Sequence, residues 1–186
     1  MTSSESDSRD PEREWVLRAR RGDVDAFRHL VDLHDRRLLY FVLRFVADGE
    51  TALDILQDVW LILFRRLPEL RAPEAFRVWL YQIAHDRVVD LLRRRRREEQ
   101  AHEVLRNGLV EYEEGPEERL EQVELVHHAL DQLSPEHREV LLLRFLEELS
   151  LEEIAEALRL SLGTVKSRLH YARLALRRQV EMIDHD

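Results

Sequence analysis

The stretch LSPEHREVLLLRFLEELSLEEIAEALRLSLGTVKSRLHYARLALRR, residues 133–178, decides the fold. Leu133-Ser134-Pro135-Glu136 places a capping serine before a proline at the first helical position and an acid in the first turn, which predicts a helix over about 135–147. Ser150 precedes LEEIAEAL, and Glu153, three residues on, completes the reciprocal hydrogen bonds of a capping box. After the turn RLSLG, Thr164 is read as the cap of a last helix, TVKSRLHYARLALRR. At about 100° per residue, Val165, Leu169, Ala172 and Leu176 share one face and are expected to pack on Ile154, Ala155 and Leu158. Helix, short turn and basic helix in that order make a helix-turn-helix, whose second helix presents its early residues to base edges in the major groove.

On the opposite face Lys166, Ser167, His170, Tyr171, Leu174, Arg177 and Arg178 point outward, and no carboxylate from 164 to 178 stands among them to repel phosphate. The Thr164 hydroxyl is placed to donate to a phosphate at the helix start. A basic face also suits a solvated bundle helix, and helix-turn-helix units serve several classes of regulator. Residues upstream must separate those classes.

Upstream, Leu, Val, Phe and Trp recur at three- and four-residue spacing from Glu12 to Arg97, predicting several amphipathic helices. Asp48-Gly49-Glu50 reads as a turn, with Thr51 the expected cap of a helix from about Ala52 to Leu67 that Pro68 ends or bends. Pro73-Glu74 opens another, running through FRVWLYQIAHDRVVDLL into an arginine run. With only five glycines and five prolines, the composition favours an all-α chain. The expected organisation is a disordered polar tail over 1–11, a helical bundle over 12–97, a flexible acidic linker over 98–119 and the helix-turn-helix domain over 120–180, each domain with its own apolar cluster.

Charge follows the same division. The net charge of −9 opposes nucleic-acid binding as a sum. Its distribution does not: Arg87 and Arg93 to Arg97 stand against Asp90 alone, while 98–124 holds ten acids against Arg106 and Arg119. The absence of cysteine excludes disulfides, thiolate metal sites and cysteine nucleophiles. No glycine-rich phosphate loop, HExxH or GxSxG occurs, and His127-His128 diverge on a helix, so neither an enzyme nor a cofactor is implied. The polar, acidic start is unlike a signal peptide, and apolar runs such as VWLILF fall far short of the roughly 18 residues that span a bilayer. A cytoplasmic protein without membrane insertion is expected.

Two segments in order resemble one family. Residues 133–178 resemble region 4 of the extracytoplasmic-function (ECF) sigma factors, which reads the promoter −35 element. DILQDVWLILFRRL (54–67) followed by FRVWLYQIAHDRVVDLLRRRRR (76–97) resembles region 2 of the same family, which binds polymerase and reads and melts the −10 element. The resemblance implies two small helical domains, with core RNA polymerase as partner through the clamp helices of its largest subunit and the flap of the second-largest, together with promoter DNA and an anti-sigma factor. It assigns core docking to Asp54, Gln57, Asp58, Trp60 and Leu61. Contact with the −10 region falls to Trp79, Tyr81, Asp86, Arg87, Arg93, Arg94, Arg95, Arg96 and Arg97. Contact with the −35 region falls to Thr164, Lys166, Ser167, Arg168, His170, Tyr171, Arg173 and Arg177.

Two departures bear on specificity. The family commonly has Asn where this chain has Asp86, and a basic residue where it has Tyr171. A carboxylate accepts from cytosine N4 but repels phosphate, so an atypical −10 preference is expected. A helix-turn-helix regulator acting alone, with 12–97 as a sensing or dimerising domain, is the competing reading; a helical adaptor that binds only protein is a more distant one.

Overall fold

The computed structural model describes residues 11–46, 48–102 and 121–183; the predicted tail, apart from Pro11, and most of the predicted linker lie outside them. All regular structure among the described residues is helical. The first domain comprises α1 (Pro11–Ala19), α2 (Val24–Leu43), α3 (Gly49–Arg66) and α4 (Phe76–His102), and the second comprises α5 (Glu121–Asp131), α6 (Pro135–Leu141), α7 (Leu151–Leu158) and α8 (Leu162–Ile183).

Local caps set most of these bounds, and two differ from expectation. The carboxylate of Asp48, not the Thr51 hydroxyl, caps α3 by accepting from the Glu50 and Thr51 amides at 3.0 and 3.1 Å. Asp is among the best N-cap residues, and Thr51 takes the third helical position, where its own hydroxyl also donates to Asp48. Ser161, not Thr164, caps α8: its Oγ accepts from the Thr164 amide at 3.1 Å. At the other end, α4 continues to His102 and takes in the first five residues of the predicted linker, because EEQAH contains strong helix formers and no breaker.

Pro68 closes α3 as predicted, in a 3₁₀ turn over Leu67–Glu69, and a second 3₁₀ turn over Pro73–Ala75 leads into α4. In the second domain Ser134 caps α6, which gives way to a wider π turn over Leu142–Leu146 instead of running on as one helix. The Ser150/Glu153 capping box forms in full, with bonds of 2.7 and 3.1 Å. Beyond α7, Arg159 adopts the left-handed region at φ 53°, a position that favours Gly or Asn.

Phe41, Phe76, Leu80 and Tyr81 are buried at the centre of the first domain, and Val140, Leu143, Ile154 and Val165 in the second. Two separate clusters were expected. The buried side chains instead form one continuous cluster, since α4 packs along α7. The α2 end of the first domain meets α5 and α6: the Tyr40 and His127 rings lie 5.3 Å apart, and Arg44 pairs with Asp131 at 3.1 Å. The buried Arg138 guanidinium donates to the carbonyls of Leu130, Asp131 and Leu133 within its own domain and to that of Arg44 across the seam.

Candidate nucleic-acid interface

The outer face of α8 is built as the sequence predicts. Val165 and Ala172 are buried and Leu169 and Leu176 half-buried, which turns Lys166, Ser167, His170, Tyr171, Arg173, Leu174, Arg177 and Arg178 to solvent. Tyr171, at 60% exposure, is the most prominent ring on this face, and His170 stands against it edge-on at 5.3 Å. The Ser167 hydroxyl donates to the Thr164 carbonyl at 3.0 Å, which leaves its acceptor lone pairs for a base or phosphate donor. Thr164 shares a 2.8 Å hydrogen bond with the Ser161 hydroxyl, and Arg168 is half-buried at the edge of the packed face. The result is a row of donors and rings with no acid on it.

Along α4 the basic arm is mostly exposed, with Arg93, Arg94, Arg96 and Arg97 at the surface. Arg95 instead reaches back to the start of α3, 3.3 Å from the Thr51 hydroxyl and 3.7 Å from Asp48, so it anchors the arm. Arg87 bonds Asp90 at 3.3 Å. Three further residues expected to contact DNA are engaged within the protein. Tyr81 is fully buried against Phe41 and cannot offer its face to a base in this arrangement. Trp79 is half-buried, with the Arg66 guanidinium 5.6 Å above its ring. Asp86 is held by Arg159 of the second domain through paired bonds of 3.0 and 2.9 Å.

On α3, Asp54, Gln57, Asp58 and Leu61 form one exposed face. Trp60 does not join it: the indole is buried and donates to Asp35 at 2.8 Å, because its position lies on the inward stripe with Leu56, Val59 and Leu63. Leu53 and Phe64 are exposed beside the acids, and the sequence reading missed them. Their signal was available, since both are apolar and lie seven and four residues from Trp60, on the edge of that stripe nearest the acids.

Where α4 meets α6 and α7, ionisable groups are enclosed. His85 Nδ1 lies 2.5 Å from Glu139. Burial opposes its charge, as does Arg159, but the hydrogen bond and charge of Glu139, with help from Asp86, hold the imidazole above its ordinary value near 6.5. Glu147, at 0% exposure, faces the Tyr81 hydroxyl without closing a well-aligned hydrogen bond, and its carboxylate lies 3.9 Å from Arg77. Burial raises the Glu147 carboxyl, against the pull of Tyr81, Arg37, Arg77 and His34, and burial together with Glu147 raises the Tyr81 phenol.

Both raised groups, His85 and Glu147, favour this packed arrangement in their protonated forms, so their contribution is complete at low pH and is lost as pH rises through their folded values. Denaturation midpoints are therefore expected to fall as pH rises above the ordinary histidine value near 6.5. Glu139→Gln should flatten the part of the slope due to His85; an unchanged slope in that variant would show that the pair does not link folding to protons.

The chain matches two family descriptions in order, Sigma-70 region 2 over residues 30–98 and Sigma-70, region 4 over residues 129–178. It is 29% identical over 176 residues to the ECF RNA polymerase sigma factor SigW of Bacillus subtilis (strain 168), covering 89% of this chain and 94% of that one. To the RNA polymerase sigma-H factor of Pseudomonas aeruginosa it is 32% identical over 180 residues, covering 91% and 93%. Its fold is similar to that of CnrH, solved in complex with the cytosolic domain of CnrY, with a TM-score of 0.67 and 26% identity over 95% of this chain and 99% of that one.

Proposed function

The chain belongs to the extracytoplasmic-function sigma factors of bacterial RNA polymerase, and from that membership we propose how its surfaces divide the work of initiation. As a sigma factor it directs core polymerase to specific promoters and starts transcription there. The exposed face of α3, with Asp54, Gln57, Asp58 and Leu61 flanked by Leu53 and Phe64, docks on the clamp helices of the largest subunit. The basic arm of α4 meets the backbone of the −10 region, and the outer face of α8 reads the −35 element. Trp60 and Tyr81 serve the core that shapes these surfaces.

The observation that carries this reading is the ordered pairing, in one chain, of a region 2 match with a region 4 match whose last helix presents an outer face free of acids from Thr164 to Arg178. A regulator acting alone has no need of the first match. Control by an anti-sigma factor fits the same membership, and CnrH offers a precedent for a relative held by a cytosolic protein domain. No described helix is long and apolar enough to cross a membrane, and the site of action under this reading is the cytoplasm, with the polymerase.

The test is transcription from a randomised promoter library by purified core polymerase with and without the protein. Transcripts that appear only with the protein, and share two elements at fixed spacing, are the expected result. Recovery of the same promoters by the protein in the absence of core would favour the regulator instead.

A further inference from the structure

We propose that α8 reads the −35 element through a stripe holding no lysine or arginine: Gly163, Ser167, His170 and Leu174, with Tyr171 beside it. Its bare start lets the helix lie close in the groove, and its apolar end meets the 5-methyl groups of thymine. The inference rests on the −35 assignment of α8 and names the bases that this face selects. Steps of four, three and four residues keep the first four positions on one line of a helix, and all four are exposed. Val165 and Ala172, buried at 0%, lie on the opposite side, so the stripe runs away from the core. Cations border it without entering it: Lys166, Arg173 and Arg177 stand along one edge and Arg178 on the other. Edge cations suit phosphate, but guanine, whose commonest partner is a bidentate Arg or Lys at O6 and N7, finds none at the centre. The centre suits other bases.

Gly163 points to close approach. Outside its own turn of backbone, a methyl group there would meet the Ser161 hydroxyl alone, at 3.8 Å, an ordinary contact. The residue lies within α8 and has no positive φ, so neither packing nor turn geometry calls for glycine, which disfavours a helix relative to alanine. What remains is a surface brought against the backbone from outside, and on this face that surface is DNA. At the far end of the stripe Leu174 is 39% exposed, and Tyr171, one turn back, is 60% exposed. The thymine methyl is the apolar group on a major-groove base edge, and these side chains offer it apolar contact. Between the ends, the Ser167 hydroxyl has given its hydrogen to the Thr164 carbonyl and accepts, which suits the amino groups of adenine or cytosine. Gly163 and Leu174 are eleven residues apart. At about 1.5 Å per residue that is roughly 16 Å, or about five base steps, so both ends reach bases only when α8 lies along the groove.

The test uses holoenzyme formed from the full chain and core polymerase, on a −35 element recovered from the randomised promoter library. Each thymine of that element is replaced in turn by deoxyuridine, which pairs alike and lacks the methyl. Promoter binding should weaken about fourfold at the positions that face Tyr171 and Leu174, the effect of one buried methyl group. That sensitivity should disappear in Tyr171→Ala or Leu174→Ala, each at the position whose methyl it no longer meets. Gly163→Ala should lower promoter affinity with the melting temperature unchanged or raised, since alanine is the better helix former. An element without thymine, no deoxyuridine effect at any position, or effects that persist unchanged in both variants would overturn methyl reading. Unaltered affinity in Gly163→Ala, or a loss accompanied by a lower melting temperature, would overturn the close seating of the helix start. Failure of the sigma factor reading looks different, because the unmodified promoters would then show no initiation that depends on the protein.

Discussion

Simultaneous replacement of Asp54, Gln57 and Asp58 by alanine is expected to lower promoter-specific initiation roughly 10²–10³-fold while leaving the chain folded. The three side chains are exposed on α3 and no described element packs over them, so each truncation falls in the class of surface changes worth about 0.5 kcal/mol or less in stability. At an interface the same groups act differently, because truncating one partner of a desolvated charge pair costs about 2–5 kcal/mol. Loss of docking then removes the larger gain. Under the proposed function core holds the two DNA-reading domains together at promoter spacing, and making the second contact effectively intramolecular raises avidity by roughly 10²–10⁴. Without that help, a chain of net charge −9 has little affinity for DNA. The measurement is abortive or run-off transcription at fixed core concentration, with core affinity and melting temperature measured alongside. Normal initiation by the triple variant would remove α3 as the docking face, and tight promoter binding by the protein alone would restore the independent regulator.

Single alanine substitutions on α8 are expected to divide into two kinds. Ser167, His170 and Tyr171 stand at the centre of the exposed face, where each lost base-edge contact costs about 1–3 kcal/mol at one position, or roughly 5–150-fold in discrimination. Replacing them should relax −35 preference at distinct bases. Arg177 and Arg178 lie late on the helix, where a guanidinium meets phosphate, so their loss should weaken binding to all sequences alike and reduce the salt slope by about one unit each. Selection from a −35 library by holoenzyme at several salt concentrations reads both effects. Uniform loss across all five, with preference intact, would refute the assignment of α8 as the reading helix.

Features set within one helical turn were legible in the sequence. The Ser134-Pro135 start and the Ser150/Glu153 box depend on residues three or four apart, and both form as read. So does the division of α8 into packed and open faces, which a 3.6-residue period dictates. Choices between two adequate caps were less legible: Asp48 and Thr51, or Ser161 and Thr164, each offer an oxygen at the right place, and the earlier one begins the helix because the backbone downstream can follow it. Trp60 and Tyr81 carry the chemistry of contact residues, yet their helical phase turns them inward, a point that spacing against Leu56, Val59, Leu80 and Ala84 could have revealed. The seam was not legible at all. Asp86 with Arg159 and His85 with Glu139 join residues 73 and 54 positions apart, and no local pattern in either segment names its partner.

Arg138 determines what breaks when those domains part. Its guanidinium is shared between three carbonyls near the end of α5 and one at the end of α2, so of these four bonds separation takes only the one to the Arg44 carbonyl. The exposed carbonyl finds water, and the cation keeps its remaining acceptors. At this residue, each half keeps its own hydrogen-bonded framework when the other leaves.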